Sequence, residues 1–168
     1  MIKGFIIGFF TLFAGFAISQ NVKFYRNNIE KFYLEYPYDW EIKNFQDYTV
    51  LISEPAKKEL TIMSTFDIQI DYKTKDIKIF CKKYEDNLKN NTVFKDFKIK
   101  TKDEIIFKNF KAIEYHCTAN AEGLPLEWRS IIFQKDNKIF KLTTTSLIGQ
   151  FFLLKDKTEK IFESFKFE

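Results

Sequence analysis

Histidine occurs once in this chain, cysteine twice, and arginine only at Arg26 and Arg129. Each scarcity removes a class of function. The single histidine, His116, stands beside Cys117, and neighbours on a strand point to opposite faces. With no C-x-x-C and no H-E-x-x-H, the three or four N/S ligands of a zinc site cannot be assembled from a local motif. A G-x-S-x-G nucleophile elbow is also absent. The basic residues are nearly all lysines, interleaved with acids at a net charge of +4. A nucleic-acid footprint needs them clustered on one face, so nucleic acid is not expected as a partner. Only five glycines and three prolines leave no composition for a flexible or proline-rich linker.

What the chain has in abundance is apolar and aromatic side chain: 45% is hydrophobic and 21 residues are phenylalanine. A chain of 168 residues can bury one sizeable core without metals or several disulfides. Its first residues follow a different pattern. Lys3 precedes an apolar run from Phe5 to Ile18, and Ala17 and Ser19 place small residues where a signal peptidase reads. That is the order of a secretory leader, and the run is shorter than the ~20 residues that cross a bilayer as a helix. The sequence therefore predicts a signal peptide over 1–19, one domain over 20–168, and export to a periplasm or beyond. No stable membrane span would remain after cleavage. Losing one lysine and no acid, the mature chain would carry +3.

Period-two alternation predicts strands through Phe32–Tyr36, from Trp40 onward, at Val50–Ser53 and along "LTIMSTFDIQI". Between the first two lies "PYDW", where the fixed φ of Pro37 suits the second position of a tight turn. Asp39 there offers an acceptor to nearby backbone N–H groups. The corner reads as a structural hairpin with Trp40 in the core. Asp76 caps a helix whose apolar face is Ile77, Phe80, Cys81, Tyr84 and Leu88. Four strands follow near Phe97–Phe107, Phe110–Ala119, Pro125–Gln134 and Lys138–Ser146. Their turns are Lys108-Asn109, Glu122-Gly123 and Asp136-Asn137. "FLLKDKTEKIFESF" closes the chain as an amphipathic helix. Strands, a helix, more strands and a last helix predict an α+β domain, an antiparallel β-sheet flanked by helices.

Three of these segments, "FYLEYPYDWEI", "NKIFKLTTTS" and "EKIFESFKF", resemble the PsbP-like superfamily. The resemblance runs over nearly all of residues 20–168 and implies the fold just described. It also implies that Pro37 and Trp40 form the family's Pro-x-x-Trp corner, with the tryptophan tucked into the core. The sequence departs where a glycine usual before the tryptophan is Asp39, and where a usual Asn-Gly turn is Asn109-Phe110. No metal ligand or photosystem contact of the family can be matched, so a photosynthetic role is not carried over.

The chemistry on offer is thin. Glu114 and His116 share a strand face, as do Glu127 and Arg129, the latter read as a surface ion pair. Asn90-Asn91-Thr92 fits a glycosylation sequon that matters only in a eukaryotic secretory host. Cys81 and Cys117 fall on surfaces expected to face each other; they are either two buried thiols or a bridge closing a loop of about 35 residues. No cofactor or metal is expected. The favoured function is an exported, non-enzymatic accessory or binding domain with an envelope or secreted protein as partner. The alternatives are a carrier of an apolar ligand or lipid, and a hydrolytic enzyme using His116 with carboxylates.

Overall fold

The computed structural model describes residues 22–43, 49–55 and 64–168. The expected leader lies outside them, and so do Leu60 and Ile62 of the strand expected from residue 60. Among the described residues, ten strands and two helices follow in the order β1 (Val22–Asn27), β2 (Phe32–Pro37), β3 (Glu41–Lys43), β4 (Val50–Ser53), β5 (Thr65–Asp71), α1 (Ile77–Lys89), β6 (Phe94–Phe107), β7 (Phe110–Ala121), β8 (Leu124–Lys135), β9 (Lys138–Leu147), α2 (Gln150–Ser164) and β10 (Lys166–Phe167). Two antiparallel sheets result where one was expected. A large sheet has the order β3-β4-β5-β9-β8-β7-β6, and a small one the order β1-β2-β10.

The meander of the second half follows from its turns. Phe107 pairs with Phe110, Ala121 with Leu124 and Lys135 with Lys138, so each loop has two residues. Both residues of each loop have positive φ, the conformation whose twist matches the flanking strands. Asn109, Gly123, Asp136 and Asn137 tolerate it well. Strand β6 begins at Phe94, three residues before the expected start, and bulges between Lys95 and Lys98 and between Ile99 and Thr101.

Helix α1 starts where the cap predicts. The Asp76 carboxylate accepts from the backbone N–H groups of Lys78 at 2.6 Å and Ile79 at 3.1 Å, satisfying two of the orphan donors of the first turn. Its apolar stripe packs on one face of the large sheet, against Tyr115, Cys117, Trp128 and Ile132. The opposite face is covered by β2 and α2. There Leu34, Phe66, Ile131, Phe133, Phe140, Leu142, Ile161 and Phe165 form the larger core. Phenylalanines fill it ring on ring: Phe133 stacks on Phe140 at 5.4 Å and Phe110 on Phe133 at 5.3 Å. Phe66 meets Phe162 edge-on at 5.2 Å.

The corner does more than a hairpin would. Strand β2 belongs to the small sheet and β3 to the edge of the large one, so Pro37–Trp40 carries the chain from one layer to the other. The Trp40 N–H donates to the Pro37 carbonyl at 2.9 Å, which puts Pro37 at the first position of the turn and not the second. Pro37 is still the last residue of β2, paired with Val22. Asp39 spends its carboxylate on Lys157 of α2, at 3.0 Å. Trp40 is fully buried, as expected.

Candidate functional site

Helix α2 lies along β2. The Ser164 hydroxyl accepts from the Glu35 N–H at 2.8 Å and donates to the Glu35 carbonyl at 3.2 Å, while Lys157 reaches Asp39 beyond the end of the strand. Between the corner and this helix opens a groove of about 800 Å³, floored by Tyr36, Pro37, Ile161 and Val22. Its rim carries both signs of charge: Lys157 and Lys160 against Glu35, Asp39 and Glu163. Tyr38 stands at the rim, 61% exposed, with the Lys23 ammonium 4.9 Å above its ring. Burial pushes the Tyr36 hydroxyl above the ordinary phenol range. The groove thus offers apolar floor, aromatic wall and paired charges.

Two polar clusters lie deeper. Under α2, Arg129 of β8 donates to Glu114 of β7 and makes a forked contact with Glu159 of α2, at 2.7 and 2.8 Å. Its guanidinium also lies 4.7 Å from the Phe162 ring centre. The register that sets Arg129 opposite His116 brings Glu114 to the arginine. The expected Glu127–Arg129 surface pair is therefore replaced by a half-buried one joining sheet to helix, whose planar fork suits two carboxylates. His116 packs edge-on against Phe151 at 6.2 Å and makes no side-chain hydrogen bond among the described residues.

The second cluster lies on the α1 face. The Trp128 indole N–H donates to the Tyr84 hydroxyl at 3.0 Å, Tyr84 meets the Ser130 hydroxyl at 3.1 Å, and Ser130 meets Thr143 at 3.0 Å. Asp67, opposite Thr143 in the register, is only 6% exposed, and its Oδ1 has no hydrogen-bond partner among the described residues. Burial raises the carboxyl to about 7, a rise that Lys141 only partly opposes. Lys141, 5.2 Å above the Tyr84 ring, is itself lowered by burial and held up by Asp67. Period-two alternation shows that Asp67 faces away from Phe66 and Ile68, but not that another layer covers that face. This is why the cluster was missed.

Cys81 and Cys117 are both buried in the α1-face core, and both are free thiols. Burial pushes the Cys117 thiol up to about 12 and raises Cys81 as well, so the thiolate that attacks or binds metal is scarce at neutral pH. Among the described residues, no three His, Cys, Asp or Glu side chains converge as a metal site. No helix of the described residues is long and apolar enough to cross a membrane.

No family model matches the chain, and no curated protein does either. Solved structures do. The chain superposes on cyanobacterial PsbP (CyanoP) from Synechocystis sp. PCC 6803 with a TM-score of 0.67 over 92% of this chain and 96% of that one, at 8% identity. This is a PsbP/Mog1-like fold. LpqN of Mycobacterium tuberculosis, a protein involved in cell envelope biogenesis, matches with a TM-score of 0.61 over 80% of this chain and 82% of its own, at 14% identity. The Saccharomyces cerevisiae Ran-binding protein Mog1p gives 0.58 over 89% and 96%, at 7% identity. Such identities establish the PsbP/Mog1-like architecture and leave function to the particulars of this chain.

Proposed function

We propose that the protein is an exported, non-enzymatic binding domain whose partner is another protein of the envelope or the secreted space. The docking site is the groove between the β2–β3 corner and α2. The observation that carries this is the groove's composition. A mostly apolar floor beside the exposed Tyr38 gives a partner aromatic and apolar contact, the chemistry of binding hot spots. Lysines and carboxylates alternating on the rim suit a polypeptide that brings both signs. A sheath of anionic lipid would meet Glu35, Asp39 and Glu163 as repulsion. LpqN, of the same fold, is involved in cell envelope biogenesis; that supports, by analogy alone, a role for this architecture in the envelope.

Capture from an envelope extract by the immobilised protein tests the proposal. Wild type should retain a discrete protein that the double variant Tyr38→Ala, Lys160→Glu loses, by about 10-fold or more if the two sites are hot spots. Equal capture by both would place the docking surface elsewhere. Both changes are on the groove's rim, and an unchanged melting temperature would show that the fold is intact.

A further inference from the structure

The edge of β2 that faces α2 is already filled along its length. Alternate residues turn their backbone groups toward that edge, and each finds a partner within the chain. The Lys31 carbonyl, just before the strand, accepts from the Glu168 N–H at 2.9 Å, and Tyr33 pairs with Lys166 of β10. Beyond β10 the Ser164 hydroxyl continues the ladder, accepting from the Glu35 N–H at 2.8 Å and donating to its carbonyl at 3.2 Å. Pro37 comes last. It has no N–H, and its carbonyl is held by Trp40 at 2.9 Å.

This limits how a polypeptide can lie in the groove. An added strand draws its affinity from the ladder bonds of an open edge, and this edge has none to make. A segment laid on the apolar floor must bring its backbone already satisfied, as a helix does. We infer, resting on the groove as the docking site, that the partner presents an amphipathic helix, with about two turns lying beside α2.

The lining agrees in length, floor and charge. From Lys157 to Ser164 α2 rises about 10 Å, the length of two turns. Val22 is paired in register with Pro37, and Phe24 with Glu35, so the four share the face of the small sheet that points away from the core. Phe24, 66% exposed, therefore extends the floor of Val22 and Pro37. Asp39 and Lys157 neutralise each other at 3.0 Å. The other charges of the lining, Lys160, Glu35 and Glu163, make no ion pair among the described residues; Lys108 holds the Glu163 backbone carbonyl, not its carboxylate. Lys160 and Glu163 stand three residues apart, one turn of α2. A helix alongside would meet both with an acid and a base one turn apart, the base at the end where Ser164 brings Glu35 close to Glu163.

Panning the immobilised protein with a phage-displayed library of random peptides about 12 residues long, enough for three helical turns, tests the inference. Enriched sequences should place apolar residues at i, i+3 or i+4, and i+7, with the acid and base one turn apart. A synthetic peptide of the enriched sequence should bind about 100-fold more weakly with proline at its centre. Lys160→Glu should weaken that peptide about 10-fold, and changing the peptide's acid to lysine should recover the loss. Phe24→Ser should also weaken it about 10-fold, with an unchanged melting temperature. Period-two or proline-rich peptides that still depend on Tyr38 and Lys160 would overturn the helix and leave the groove standing as the docking site. Peptides indifferent to Tyr38→Ala and Lys160→Glu would overturn both. No enrichment at all would overturn the inference.

Discussion

Asp67 places a carboxyl in a buried site where Lys141 only partly offsets the cost of its charge, and the consequence is a pH dependence with a definite sign. Its folded pKa, about 7, lies above the unfolded value near 3.8. Below about pH 4 both states hold the proton and Asp67 leaves stability untouched. As pH rises from about 4 to 7 the unfolded chain releases its proton first, so stability falls, and above 7 the loss is complete. The whole loss is at most about 4 kcal/mol. Asp67→Asn should flatten this slope: melting temperatures at about pH 5 and about pH 8 should converge relative to wild type. A variant that keeps the full wild-type difference would show that the pH dependence lies in other groups. Two carboxylates act in the opposite sense. Glu85 is lowered because hydrogen bonds from Lys102 and Tyr115 outweigh its burial, and Asp71 because Thr74 and Lys73 outweigh burial there; both contribute stability that is lost as pH falls.

The corner is the element on which the two layers depend. Trp40 follows a turn that changes sheets and fills the core beneath β4 and β5, fully buried. Trp40→Ala should cost about 3–5 kcal/mol, read as a lowered urea midpoint with an unchanged slope; a shift of a few tenths would mean that the layers close without it. The indole N–H has no acceptor among the described residues, so Trp40→Phe should cost less than the lost area alone implies. Much at this scale was legible in advance. Strand alternation, the Asp76 cap and the two-residue turns are local signals, and α1, α2 and the four-strand meander stand within a few residues of expectation. The second sheet was not legible, because β10 has two residues, too few for a period to show, and alternation in β2 does not say which strands it pairs with. The same limit hid the site. Alternation assigns Arg129 and Asp67 to a face, yet the charge partners Glu159 and Lys141 come from other elements, set by register and layer packing.

Over the whole molecule, the groove lies where β2 finishes and Val22 opens the first strand, alongside the second half of α2. The central core behind it is dense with stacked rings, so its many phenylalanines act as filling for two packed layers. That leaves recognition to the surface, and the corner groove is where apolar floor, exposed aromatic and charge of both signs meet. Its most direct test is a photo-crosslinking side chain placed at Tyr38 in producing cells, with a second at Ile106, which is at least as exposed on the edge strand β6, as control. The account predicts one discrete covalent protein adduct from position 38, lost with Lys160→Glu and absent from position 106. No adduct at 38, or the same adduct from both positions, would contradict it.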